Sequence, residues 1–171
     1  MKGFTPDLFD RLLGQPQRNG VVVARLNVEE LKDAVARDLE ALLNTRSTIQ
    51  EGALAAFTEC GNSMVGYGLC DFADRSLSSP TDRAHICACI EQAIARHEPR
   101  LQDVKALLEM RDDAAPSVNR LSFSITAVLV ASRSQEPVNF DAVLQPSTLQ
   151  YSIRKAGRAG AASAAAAAAG A

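Results

Sequence analysis

Proline lacks the N–H that continues a helix and biases the residue before it away from the α region, so a proline between two kinds of periodicity marks a junction. This sequence has one at Pro99, within His97-Glu98-Pro99-Arg100-Leu101. Upstream, Ile86, Cys89, Ile90, Ala93, Ile94 and His97 recur at helical spacing. Downstream, Val104, Ala106, Leu108 and Met110 alternate with Lys105, Leu107 and Glu109. The helix is therefore expected to end near His97 and Glu98, and a first strand to start at Arg100. Glu98 and Arg100 flank the proline with apolar segments on either side. They are expected to form a partly buried charged pair, facing either the protein's own core or a partner.

Other punctuation sets the remaining elements. Thr5, Pro6 and Asp7 read as a helix start, with Leu8, Phe9, Leu12 and Leu13 at helical spacing up to Gly14. Residues 15–20 form a polar linker, so residues 1–20 are expected to make an amphipathic arm that packs on its own domain or docks on a partner. Val21, Val22 and Val23 favour extended backbone. Asn27 with Glu30 then opens a long helix whose Leu31, Ala34, Val35, Leu39, Leu42 and Leu43 share a face. Residues 47–80 lack periodicity and read as an irregular connection, with at most a short helix around Glu51–Phe57, packed by Met64, Val65, Tyr67, Leu69 and Phe72. Ser79, Pro80 and Asp82 start the helix that runs to the joint.

Past a turn over Arg111–Asn119, Leu121, Phe123, Ile125, Ala127 and Leu129 alternate with Ser122, Ser124, Thr126 and Val128. Val138–Val143 reads as a short strand, and a last strand places Leu149, Tyr151 and Ile153 on one face. Helices first, then strands joined by short links, predict an α+β domain over residues 21–155, with helices on one face of an antiparallel meander. Residues 156–171, rich in Ala and Gly, are expected to be a tail outside the fold.

Composition excludes several functions. A net charge of −2 provides no drive toward phosphate backbones, so nucleic acid is not an expected partner. Neither a secretory signal nor a membrane-spanning run is visible, which predicts a cytoplasmic protein without direct membrane insertion. The cysteines, at 60, 70, 87 and 89, are expected to be free thiols. His85-Ile86-Cys87-Ala88-Cys89 suggests metal ligands at first, but helix residues two apart point to nearly opposite sides. Cys87 and Cys89 therefore cannot chelate one ion together, and neither can His85 and Cys87. Cys89 reads as a small core residue, and no metal or cofactor site is expected.

Glu98 is a candidate general acid, with Asp71 or Asp141 as second carboxylate, but the adjacent Arg100 works against a carboxyl held protonated for that role. With no Trp and only two Tyr, the aromatic platforms that often line sugar clefts are scarce. Gly66-Tyr67-Gly68 is too short for a phosphate loop. No catalytic residue is assigned.

Leu42-Leu43-Asn44-Thr45-Arg46, Ser63 with Tyr67-Gly68-Leu69, Glu98-Pro99-Arg100-Leu101, Leu121-x-Phe123-x-Ile125 and Val138-x-Phe140-Asp141 occur in that order. Together they resemble the TssE family, the small baseplate subunits of bacterial type VI secretion systems, over roughly residues 4–155. That family is similar to the baseplate wedge protein of contractile-tailed phages, which often carries a lysozyme-like label. Cys70 stands where the family pattern usually has proline. The resemblance implies a cytoplasmic scaffold that joins other wedge subunits and helps initiate polymerisation of the contractile sheath. It implies no enzyme activity, although the lysozyme label makes peptidoglycan cleavage the alternative. It also makes Glu98, Pro99 and Arg100 interface candidates, with Asn44 and Arg46 from the first motif. Edge strands template other chains, so Tyr151 and Ile153 on the last strand are expected to face the sheath by β-augmentation.

Overall fold

The change of period at Pro99 divides the molecule into a helical layer and a sheet. In the computed structural model, residues 3–14, 17–18, 21–22, 25–49, 52–54, 56–72, 75–76, 79–109, 121–131, 134–145 and 148–156 are described. The elements are α1 (Leu8–Leu12), β1 (Gln17–Arg18), β2 (Val21–Val22), α2 (Val28–Asn44), α3 (Thr58–Gly61), a 3-10 turn (Met64–Gly66), α4 (Pro80–His97), β3 (Leu101–Glu109), β4 (Leu121–Ala131), β5 (Ser134–Gln145) and β6 (Gln150–Lys155). Strands β3-β4-β5-β6 form a four-stranded antiparallel meander, and β1 pairs with β2 separately. This is the α+β class expected. The Arg111–Asn119 turn and the tail beyond residue 156 lie outside the described residues.

The two long helices begin where local chemistry places them. Asn27 Oδ1 accepts the Glu30 N–H while the Glu30 carboxylate accepts the Asn27 N–H, each at 2.8 Å, a complete capping box. Ser79 caps α4, with Pro80 in its first turn and the Asp82 N–H donating to the Ser79 hydroxyl. Leu31, Ala34, Val35, Leu39, Leu42 and Leu43 of α2 and Ile86, Cys89, Ile90, Ala93 and Ile94 of α4 are all buried. They meet Phe123, Ile125, Ala127, Leu129, Val138, Phe140, Ala142 and Leu144, the alternate residues of the two central strands.

Several expectations are corrected. The first helix starts at Leu8, not in the Thr5–Pro6 turn, and the Asp7 carboxylate accepts the Leu8 N–H at 2.7 Å. Its Leu8, Leu12 and Leu13 are exposed, while Asp10 pairs with Arg37 of α2 at 3.0 Å. The short helix in the connection is Thr58–Gly61, downstream of Glu51–Phe57. Leu69 and Phe72 pack that connection, whereas Met64 and Val65 are exposed because the 3-10 turn aims them outward. Leu69 is held by backbone bonds with Thr45 and Ser47. Gly68 reaches it at φ +115, where an added Cβ would meet the Thr45 carbonyl at 2.7 Å.

In β3 the alternation shifts: Leu101 and Val104 are both buried although three apart. A bulge between Gln102 and Lys105, with Asp103 at φ 52, absorbs the extra residue. Strand β5 is longer than Val138–Val143 and includes Pro137, opposite Val128. Proline is tolerated there because β6 ends at Lys155 opposite Phe140, leaving that part of β5 an edge. Leu149 precedes β6, at φ 54 and exposed, so only Tyr151 and Ile153 share the core face.

Candidate functional site

At the joint the helix stops as its proline dictates: the Glu98 N–H closes the last turn on the Ile94 carbonyl at 2.8 Å, and the Leu101 N–H donates to the Glu98 carbonyl at 3.1 Å. Glu98 is the one buried charged residue among the described residues. Its carboxylate takes a two-pronged contact from Arg100, Nε to Oε1 at 2.6 Å and Nη2 to Oε2 at 2.5 Å, plus the Arg100 backbone N–H at 3.2 Å. Arg100 Nη2 also reaches Asp38 Oδ2 of α2 at 2.5 Å, and the Arg100 carbonyl accepts the Val130 N–H of β4. Arg100 thus ties the end of α4 to α2 through its guanidinium and to the sheet through its backbone carbonyl. Burial opposes the Arg100 charge, but the hydrogen bonds it donates to Glu98 and Asp38 outweigh it and raise its pKa. At Asp38 burial dominates and raises the carboxyl pKa against the pull of Arg100. The connection braces the joint from the other side: His97 Nε2 lies 3.0 Å from the Gly66 carbonyl, and the Tyr67 and His97 rings meet edge-on.

Glu98 has both carboxylate oxygens on Arg100, and Asp141 lies on the sheet face away from the helices, so these two do not form a catalytic pair. Asp71 is exposed in the connection. The outward edge of Glu98-Pro99-Arg100 is nevertheless accessible: Pro99 is exposed, and the side chains of Arg100 and Asp38 are 28% and 42% exposed.

The residues of the last strand expected at an interface are engaged within the chain itself. Tyr151 and Ile153 are buried, with their side chains in the core. Their edge-facing N–H groups are already taken: Tyr151 donates to Asn44 Oδ1 at 2.7 Å, and Ile153 to Glu40 Oε2 at 2.8 Å. Asn44 Nδ2 returns a bond to the Tyr151 carbonyl at 2.9 Å, and Arg46 Nη2 donates to the Leu149 carbonyl at 3.0 Å. Asn44 and Arg46 therefore hold β6 in place. The far edge is sealed likewise, because the Ala106 N–H donates to Glu91 Oε1 at 2.9 Å and the Leu108 N–H is directed at the Cys87 sulfur. The spacing explains the match. Residues four apart on a helix rise about 6 Å, close to the roughly 6.6 Å between alternate residues of a strand. The outer face of the sheet, with exposed Leu107 and half-buried Ser124, Thr126, Asn139 and Asp141, has no covering layer among the described residues.

Helix geometry separates Cys87 from Cys89 as expected, since Cys87 faces Leu108. The same geometry puts His85 and Cys89, four apart, on one side of α4, and the connection brings Cys70 to them. That grouping is legible only in part from sequence: the four-residue spacing of His85 and Cys89 signals a pair, while Cys70 depends on the tertiary fold.

Helices over one face of an antiparallel meander, helix side chains bonded along its two outer strands and a charged joint paired internally define a small α+β domain. Comparison with known families is specific. The chain belongs to the family described as Baseplate wedge protein gp25, whose model matches residues 29–134, well over half its length. The match runs from the first turn of α2 to the start of β5 and includes the joint. No curated protein matches the chain. Membership makes it a structural component of a baseplate, with other baseplate subunits as its partners. No helix among the described residues is long and apolar enough to cross a membrane.

Proposed function

We propose that the chain is the small baseplate subunit of a type VI secretion system, a contractile injection machine, and that it works in the cytoplasm. It joins other wedge subunits and helps initiate sheath polymerisation, without enzyme activity of its own. The observation that carries this reading is the Arg100 cluster: a guanidinium locked by Glu98 and Asp38, with one side still accessible beside Pro99. A preorganised polar surface of this kind loses little side-chain entropy on docking. The wedge contact is assigned to Pro99, Arg100 and Asp38. Because Asn44 and Glu40 occupy the β6 edge, the sheath contact is assigned to the uncovered sheet face around Leu107.

Coexpression with candidate type VI wedge and sheath subunits, followed by copurification and sizing, tests both assignments. The wild-type chain is expected to form a stoichiometric wedge complex. Pro99→Ala with Asp38→Asn, folded by circular dichroism, should weaken it at least tenfold. Leu107→Asp changes an already exposed residue and should retain the wedge complex while sheath assembly fails. Well-folded wild-type protein that forms no complex would reject the assignment.

A further inference from the structure

The connection between α2 and α4 and the first turns of α4 place three soft ligand atoms together, independently of any role in a baseplate. Cys70 Sγ, a ring nitrogen of His85 and Cys89 Sγ all lie within 4.8 Å of one another. Cys89 Sγ is 3.5 Å from His85 Nε2. A tetrahedral ion with a metal–sulfur distance of about 2.3 Å and a metal–nitrogen distance of about 2.0–2.1 Å sets its sulfur and nitrogen ligands roughly 3.5–3.6 Å apart. The pair on α4 already has that separation.

The backbone that carries the third ligand is fixed. Leu69, next to Cys70, is buried and hydrogen-bonded to both Thr45 and Ser47, so Cys70 is presented from an anchored segment. Cys89 is buried and Cys70 and His85 are half-buried. Cys70 and Cys89 also line a cavity of about 340 Å³, whose walls include Ser47, Gly68, Gln92 and Arg96. Among the described residues that line the cavity none is a carboxylate, the ligand that hard cations such as Mg²⁺ or Ca²⁺ favour.

We propose that Cys70, His85 and Cys89 bind one Zn²⁺ ion, with solvent entering from the cavity as fourth ligand. Two thiolates and a neutral imidazole suit a borderline-soft ion, and two thiolates cancel its double charge, which favours a partly buried site. Binding converts the two thiols to thiolates: two S–H bonds break, two metal–sulfur bonds form, and two protons leave to solvent. The ion links the connection to α4 and holds Leu69 and Phe72 against the core.

The test uses the full chain, fully reduced and stripped of metal. Titration with Zn²⁺ against a chromophoric chelator should show one equivalent bound and a raised melting temperature. Co²⁺ in its place should give the intense visible bands of a tetrahedral ion and near-ultraviolet thiolate-to-cobalt charge transfer. Cys70→Ser, Cys89→Ser and His85→Ala should each weaken Zn²⁺ binding at least about a hundredfold, beyond the ten- to hundredfold cost of losing an outer-shell partner. Cys60→Ser and Cys87→Ser should bind as the wild type does. The cobalt spectrum is read on the wild-type chain, so the outcome does not depend on every variant folding. Reduced wild-type protein with no stoichiometric binding, or with a cobalt spectrum lacking thiolate charge transfer, overturns the site. So does binding that survives all three ligand substitutions.

Discussion

The side chain of Asn44 satisfies both backbone groups of Tyr151, accepting its N–H at 2.7 Å and donating to its carbonyl at 2.9 Å. A residue at the C-terminal end of α2 thereby does for β6 what a neighbouring strand would do. Asn44→Ala strips both partners from a part-buried edge. It should cost about 1–3 kcal/mol in urea unfolding, the range for leaving buried polar groups unsatisfied. Asn44→Asp keeps the acceptor and loses the donor, and should fall between wild type and Asn44→Ala.

The same logic at Ile153 and Ala106 predicts a change in association rather than in fold. Glu40→Ala with Glu91→Ala frees one outward N–H on each edge of the sheet, and unpaired edges template other chains. The double variant should aggregate at lower concentration than the wild type, read by light scattering. Glu40→Gln with Glu91→Gln retains the accepting oxygens and should behave as wild type. Proline at Ser152 would not probe this edge, because alternation turns the Ser152 N–H toward β5.

Arg100 is expected to show the asymmetry of buried ion clusters. Removing one partner leaves a buried charge uncompensated, so Arg100→Met alone should cost about 3–5 kcal/mol in chemical denaturation. Neutralising Glu98 as well, with Glu98→Gln, removes that uncompensated charge and should recover at least half of the loss. A double variant no more stable than Arg100→Met would show that Arg100 acts chiefly through Asp38 or through its packing.

Burial holds the Tyr151 phenol well above its ordinary pKa, and burial also raises that of Tyr67. These are the only two tyrosines of the chain, so the phenolate of Tyr151 should be missing from the absorbance step near pH 10 while the protein is folded, and appear there on unfolding. Unfolded tyrosine ionises in that range, and both folded groups ionise above their ordinary values, Tyr151 by the larger margin. The unfolded state therefore binds fewer protons, and stability falls as pH rises. The slope is up to about 1.4 kcal/mol per pH unit for each group. Among the described residues the buried Tyr151 hydroxyl has no hydrogen-bond partner. Tyr151→Phe should thus be neutral or stabilising by up to about 1 kcal/mol and remove part of the alkaline slope.

What the sequence determined by itself is what neighbours along the chain settle. Asn27 with Glu30 and Ser79 with Pro80 start α2 and α4, and Pro99 stops α4 at Glu98, because caps and breakers act within one helical turn. The alternation from Leu121 to Leu129 reads directly as a strand with one core face. The Glu98–Arg100 pair is legible for the same reason, its members being two residues apart. The resemblance marks Asn44 only as an interface candidate, and Glu40 carries no signal of its own in the sequence. Their strand partners lie 107 and 113 residues away, and no local spacing encodes a bond across that distance. The alternation of Tyr151 and Ile153 is legible in the sequence, whereas the bonds of their N–H groups to Asn44 and Glu40 are not. The Asp103 bulge, the approach of Cys70 to His85 and Cys89, and the meeting of Arg100 with Asp38 likewise arose only in the tertiary structure. Each depends on how two separately formed elements settle against one another, and packing of the shared core fixes that.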